Sequence, residues 1–221
     1  MESSSFAAPP PWTLTGEGIV WLYAIPKGFN RHHGFLADYQ TEGYVGKIGA
    51  VLYFNYTTSD VGPYQELIYL PGLFRVGGKL AFSISKIYVS TLASASNGWQ
   101  NWGIPKEEAD FSLRKSDTGD FQLQVSRHGL PFFAAQAKPF GPALPVTTRL
   151  FPWTRLVQQH PRGLLLTNPQ LHGQAQLATT QTITADARLF PPVQHLKPLC
   201  TVVLRDVKMD FPVPELMGSA F

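Results

Sequence analysis

Phe121-Gln122-Leu123-Gln124-Val125 is the stretch whose reading decides the fold class. Apolar and polar residues alternate without a fault, which is the period of a strand with one buried face and one wet face. A second run of the same kind, 111–115, lies just upstream. Between them Asp117-Thr118-Gly119-Asp120 supplies tight-turn residues, so the segment reads as a β-hairpin. The pattern extends in both directions. Short β-branched and aromatic runs punctuated by Gly and Pro predict further strands near 18–24, 46–56, 64–74, 79–89, 130–138, 174–186 and 200–211. Gly77-Gly78 reads as a turn. Helix signals are scarce. One short helix is expected over 91–102, opened by Ser90 or Thr91 as N-cap and ended ahead of Pro105. The residues by themselves predict a mainly β chain with few helices, either a barrel or a sandwich.

At 221 residues the chain fits one large domain. Residues 1–11, rich in Ser, Ala and Pro, read as a flexible N-terminal arm, and 12–221 as a single domain. Prolines 139, 142, 145, 152 and 191–192 divide the second half, but strand signals resume within a few residues of each. Charged residues are 15% of the chain against roughly 25% in an ordinary domain, so a self-associating face and a homo-oligomer are expected. The net charge is +3 and the 18 lysines and arginines are scattered, without the stripe that nucleic-acid binding needs.

Cys200 stands alone in an apolar run, where a buried inert thiol is expected; with no partner for a disulfide, the default compartment is the cytosol. The first residues lack the basic start and apolar core of a secretion signal, and no window of 18 apolar residues is present. A cytoplasmic protein without membrane contact is the expectation, and the glycosylation sequon at Asn55-Tyr56-Thr57 is read as meaningless there.

Chemistry concentrates in Gly98-Trp99-Gln100-Asn101-Trp102-Gly103-Ile104-Pro105-Lys106. A free lysine titrates near 10.4. Trp99, Trp102 and Ile104 crowd Lys106, and if they wall it off, desolvation favours the neutral amine. Moving the pKa toward 7 takes roughly 4–5 kcal/mol of differential solvation, which largely complete burial supplies and partial burial does not. The alternative from composition alone is a surface lysine at a turn. Glu66 raises the same choice: one face of its strand is buried, but the run Leu67-Ile68-Tyr69-Leu70 hides which face Glu66 takes.

Other constellations carry less. His32-His33 has no Cys or carboxylate at metal-ligand spacing, so no metal is expected. Ser83 and Ser85 lack a paired His–Asp signature, and no phosphate-cradling or dinucleotide glycine motif is present. Arg149 and Arg155 flank Phe151-Pro152-Trp153 and are read as surface residues.

Four stretches resemble the acetoacetate decarboxylase family, and its decarboxylase-like bacterial branch in particular. Pro10-Pro11-Trp12-Thr13-Leu14-Thr15-Gly16 looks like the family's entry, and Tyr64-Gln65-Glu66-Leu67-Ile68 like its glutamate strand. Gly78-Lys79 with Ile84-Ser85-Lys86-Ile87-Tyr88-Val89 looks like the strand leading to the active-site helix. Trp102-Gly103-Ile104-Pro105-Lys106-Glu107, with Ala109 and Phe111, looks like its lysine segment. The resemblance implies a closed conical β-barrel with one short active-site helix. It implies a lyase without cofactor, acting on a ketone or β-keto acid through a Schiff base on Lys106, with Glu66 as the partner carboxylate. Tyr64, Trp99, Gln100, Trp102 and Ile104 are the expected substrate-pocket residues, and the expected partner is a small carbonyl compound.

The chain also departs from the family. Gly98-Trp99-Gln100 stands where the family has Gly-Arg-Glu, and residue 107 is Glu where some members have a second lysine. The family's carboxylate-holding arginine has no match in Tyr23-Ala24-Ile25-Pro26, and its second glutamate is missing near Val51 or Leu52. These departures argue against decarboxylation of acetoacetate itself and point to a larger, less charged carbonyl compound. Aldol, dehydration or cyclisation steps through the same iminium are open, and so is a non-catalytic barrel that only binds small molecules.

Overall fold

A computed structural model describes residues 7–116, 119–149 and 154–217. The chain is mainly β. It opens with two long antiparallel strands, β1 (Trp12–Ile25) and β2 (Tyr44–Thr58), joined through the short helices α1 (Lys27–His33) and α2 (Asp38–Glu42). Next come β3 (Tyr64–Leu70), β4 (Leu73–Val76), β5 (Lys79–Phe82), β6 (Lys86–Val89), α3 (Leu92–Trp102) and β7 (Glu107–Glu108). The remaining strands are β8 (Asp110–Lys115), β9 (Phe121–Arg127), β10 (Leu130–Pro139), β11 (Leu144–Thr147), β12 (Leu156–His160), β13 (Gly163–Thr167), β14 (Gln170–Ala185), β15 (Cys200–Phe211) and β16 (Glu215–Met217).

All belong to one sheet, whose main path runs β16-β13-β12-β5-β4-β2-β1-β15-β14-β10-β9-β8. Strand β3 branches from β2 and carries β6 and β7, while β11 pairs with β14. The hairpin expected from residues 121–125 is present: β8 and β9 pair from Asp110↔Ser126 to Lys115↔Phe121. Residues 117–118 of its turn lie outside the described residues.

The barrel expected from the family resemblance is not closed. Closure needs the two edge strands to exchange hydrogen bonds. Here the ends of the path, β8 and the three-residue β16, do not pair with each other among the described residues.

Alternation on β1 explains how both faces of the sheet are used. Ile19, Trp21, Tyr23 and Ile25 point into one core, shared with Phe121, Leu123 and Val125 of β9 and with Phe133 and Ala135 of β10. Leu14, Val20 and Leu22 point the other way, toward a second core that holds the candidate site. The strand expected over 64–74 breaks into β3 and β4 at Pro71-Gly72, and that over 79–89 breaks at Ser83–Ser85. Cys200 is half-buried at the start of β15, not fully enclosed. Of the stretch read as a flexible arm, residues 1–6 lie outside the described residues. Ala8 is buried: its N–H donates to Asn97 Oδ1 and its carbonyl accepts from the Trp12 indole.

Helix α3 forms where expected. The Thr91 hydroxyl accepts from the Ser94 N–H at 3.3 Å as an N-cap. At the other end Gly103 adopts the left-handed conformation, φ 68°, and its N–H donates back to the carbonyls of Gly98 and Trp99. A Cβ on residue 103 would lie 2.6 Å from the Gln159 carbonyl oxygen of β12, so glycine is needed for conformation and for space.

Gly103→Ala is therefore expected to cost at least about 1–2 kcal/mol from the left-handed backbone alone, lowering Tm by roughly 2–8 °C in a domain of this size. A thermal melt unchanged by the substitution would contradict this account of the helix end.

Candidate active site

The chain reversal at Gly103 folds the segment after α3 back across the helix. The Ile104 N–H donates to the Gly98 carbonyl at 3.3 Å, and Lys106 then runs its side chain over the helix face. Gly98 has no side chain to obstruct it: a Cβ there would sit 2.8 Å from Lys106 Cε and 2.9 Å from Cδ. One turn earlier on the same face, the Ser94 hydroxyl lies 3.0 Å from Lys106 Nζ.

Glu66 meets this amine from β3. The register Phe54↔Glu66 with β2 and Glu66↔Val89 with β6 fixes the strand on both edges. Alternation then sends Tyr64, Glu66, Ile68 and Leu70 to one face, the face turned to the cavity. Glu66 Oε2 stands 3.4 Å from Lys106 Nζ, and Oε1 accepts from the Tyr56 hydroxyl at 3.0 Å. The side chains of Lys106 and Glu66 are only 5% and 8% exposed, and the ammonium position lies 5.0 Å from the centre of the Tyr64 ring. Burial lowers the Lys106 pKa from that of an ordinary lysine, and the charge and hydrogen bond of Glu66 oppose that shift in part. The phenols of Tyr56 and Tyr64 are pushed well above their usual range, first by burial and then by the Glu66 charge, so both stay neutral donors.

These groups stand in a cavity of about 460 Å³ whose walls, apart from Thr148 and Thr154, are otherwise apolar. Tyr64, Trp102 and Ile104 line it, as the sequence suggested. Trp99 and Gln100 do not. Residues 94, 98 and 102 recur every four positions and share the inner face of α3, which turns positions 99 and 100 outward. Trp99 is 43% exposed and packs against His160, and Gln100 is exposed, with its carbonyl accepting from Arg162.

Ser94 and Tyr56 are the groups that residue-by-residue reading missed. Ser94 had a usable signal, its four-residue spacing from Gly98. Tyr56 had one only through register, as the cross-strand partner of Tyr64.

Other sequence candidates stand elsewhere. His32 and His33 lie on α1, and Ser83 is tied into a polar cluster with Tyr39, Gln40 and Gln158. Arg149 is exposed and Arg155 half-buried, and residues 151–153 lie outside the described residues. Glu107 bonds Lys86 and Arg127 instead of facing Lys106.

Residues 45–161, just over half of the chain, match the sequence profile of the acetoacetate decarboxylase (ADC) family. The chain belongs to the acetoacetate decarboxylase family. No curated protein sequence matches it. Among solved structures it is similar to the enduracididine biosynthesis enzyme MppR complexed with pyruvate, at 15% identity over 98% of this chain and 93% of that one, TM-score 0.70. It is also similar to acetoacetate decarboxylase from Legionella pneumophila, at 12% identity over 95% and 88%, TM-score 0.72. An acetoacetate decarboxylase-like enzyme from Sphingomonas wittichii RW1 aligns at 12% identity over 98% and 96%, TM-score 0.64. At such identities these likenesses establish the fold: the chain shares it with a decarboxylase and a biosynthetic enzyme. No helix among the described residues is long and apolar enough to cross a membrane.

Gly98→Ala places a methyl group in the path of the Lys106 side chain and moves its amine off Ser94 and Glu66. A displacement of about 1 Å at a reacting group can cost about a hundredfold. The expected outcome is a loss of that order in the rate at which Lys106 reacts with a carbonyl probe, with the circular dichroism spectrum retained. A rate within about twofold of the parent would contradict the placement.

Proposed function

We propose that this acetoacetate decarboxylase family member is a cofactor-free carbon–carbon lyase or aldolase-type enzyme acting on a carbonyl compound through a Schiff base on Lys106. The observation that carries the reading is a buried amine with a depressed pKa, 3.4 Å from a buried carboxylate in an apolar cavity. Acetoacetate decarboxylase is itself the established example of a nucleophilic lysine with a lowered pKa, so the family supplies the precedent for this chemistry.

The lone pair of neutral Nζ attacks the carbonyl carbon, the oxygen is protonated twice and leaves as water, and an iminium ion remains. Its nitrogen accepts the electron pair of an adjacent bond, from C–C cleavage or from loss of an α-proton, to give an enamine. Protonation at carbon and hydrolysis return the amine. Glu66 is suited to carry the protons and to balance the iminium charge, with Tyr56 holding one of its oxygens and the Ser94 hydroxyl beside Nζ orienting the amine. Expulsion of solvent strengthens each of these contacts.

A second reading is a cavity that binds carbonyl compounds without turnover. It is favoured by Trp99 and Gln100 standing, turned outward, where the family has a charged pair.

Incubation with acetone, acetoacetate and pyruvate, followed by borohydride and intact-mass measurement, tests the proposal. An adduct on Lys106 is expected, absent in Lys106→Ala and formed roughly 10²–10⁴ times more slowly in Glu66→Gln. No adduct from any probe by a folded protein would overturn it, and an adduct with no product released would favour the second reading.

A further inference from the structure

We infer that the cavity takes an uncharged carbonyl compound with a long apolar tail, the carbonyl at Lys106 and the tail directed toward Ile48. This inference rests on the Schiff-base reading and adds to it the class of substrate.

Charge carries the first part. Among the described residues lining the cavity, Lys106 and Glu66 are the only charged ones. The stretches outside the described residues contain no lysine or arginine. Once Lys106 serves as a neutral nucleophile, Glu66 leaves the pocket with an uncompensated negative charge. A substrate carboxylate brought beside it would lose its hydration and gain no cation in return. The iminium formed from a neutral ketone has the opposite sign and pairs with Glu66.

The direction of the cavity carries the second part. Glu66, Ile68 and Leu70 face it in succession along β3, opposite Phe54, Leu52 and Ala50 of β2. At about 3.4 Å per residue, Leu70 lies roughly 14 Å from Glu66. Two residues before Ala50, Ile48 lines the same cavity and is 49% exposed, which sets the mouth at that end, roughly 20 Å along β2 from Phe54. The reactive pair is therefore at the end of a long, largely apolar passage remote from Ile48. The indole N–H groups at that end are turned away from it: Trp12 donates to the Ala8 carbonyl and Trp102 to the Pro212 carbonyl. Apart from Thr148 and Thr154, the residues lining the passage beyond the reactive pair and its tyrosines are apolar, so a tail finds a large apolar surface to cover, worth about threefold to fourfold in affinity for each methylene buried.

The test measures the concentration giving half-maximal borohydride-trapped adduct for acetone, methyl propyl ketone, methyl nonyl ketone, acetoacetate and pyruvate. It is expected to fall with each methylene through the ketones, and acetoacetate and pyruvate are expected to need more than methyl propyl ketone. Either acid labelling at an equal or lower concentration, or no dependence on chain length, would overturn the substrate class while leaving the Schiff base standing.

Absence of every adduct would instead fail the Schiff-base reading. Calorimetry of Lys106→Ala then decides the class by itself: binding of methyl nonyl ketone but not decanoate supports it, and any other pattern overturns it. Leu52→Trp, which narrows the passage midway, is expected to raise the requirement for methyl nonyl ketone about tenfold more than the requirement for acetone. Equal effects on the two ketones would contradict the proposed path.

Discussion

A primary amine acts as a nucleophile near neutral pH only where its surroundings make the ammonium form costly, and the burial of Lys106 is the constraint on which the rest of this site depends. That burial is produced by backbone geometry. Gly103 ends α3 in the left-handed conformation and sends the chain back, Gly98 leaves a lane across the helix, and the amine comes to rest between Ser94 and Glu66. Glu66 works against the desolvation, because a nearby anion favours the protonated lysine. The net direction is nevertheless downward. The carboxylate is also what an iminium would need beside it, so the same contact that tempers the amine suits the cation formed from it.

The mainly β architecture was legible because amphipathic strands print their period. Residues 121–125 alternate since β9 has one face in a core and one in solvent. Strand β3 does not print it, because it lies between two cores: Leu67 and Tyr69 pack on one side, Ile68 and Leu70 on the other. With apolar residues on both faces, the side taken by Glu66 could be read only from register. The helices α1 and α2 left little apolar signal because polar residues anchor them. Asn30 donates to the Pro71 carbonyl and accepts from Tyr69, and Gln40 donates to Ser83. The hairpin β12–β13 also went unread, although Leu164, Leu165 and Leu166 are all buried there.

At the site, Lys106, Glu66, Tyr64, Trp102 and Ile104 stand together, whereas Trp99 and Gln100 do not. The family pattern identifies these two positions, but only the helical period tells which way they point. The period that turns them outward brings Ser94 inward. Among the described residues lining the cavity, Lys106 and Glu66 are left as the charged pair. On the proposed Schiff-base reading, a pocket without other charges would keep Glu66 as the iminium's counter-ion and would offer a small anion no partner, so the missing charges and the apolar walls have one common consequence.

The claim that the Lys106 amine is dry and easily neutralised is tested most directly by NMR titration of the lysine side-chain nitrogens in the folded protein, with Lys106→Arg identifying its signal. One lysine is expected to titrate below the ordinary value of 10.5 and to vanish from the spectrum in the variant. A Lys106 signal titrating at or above that value would contradict the account.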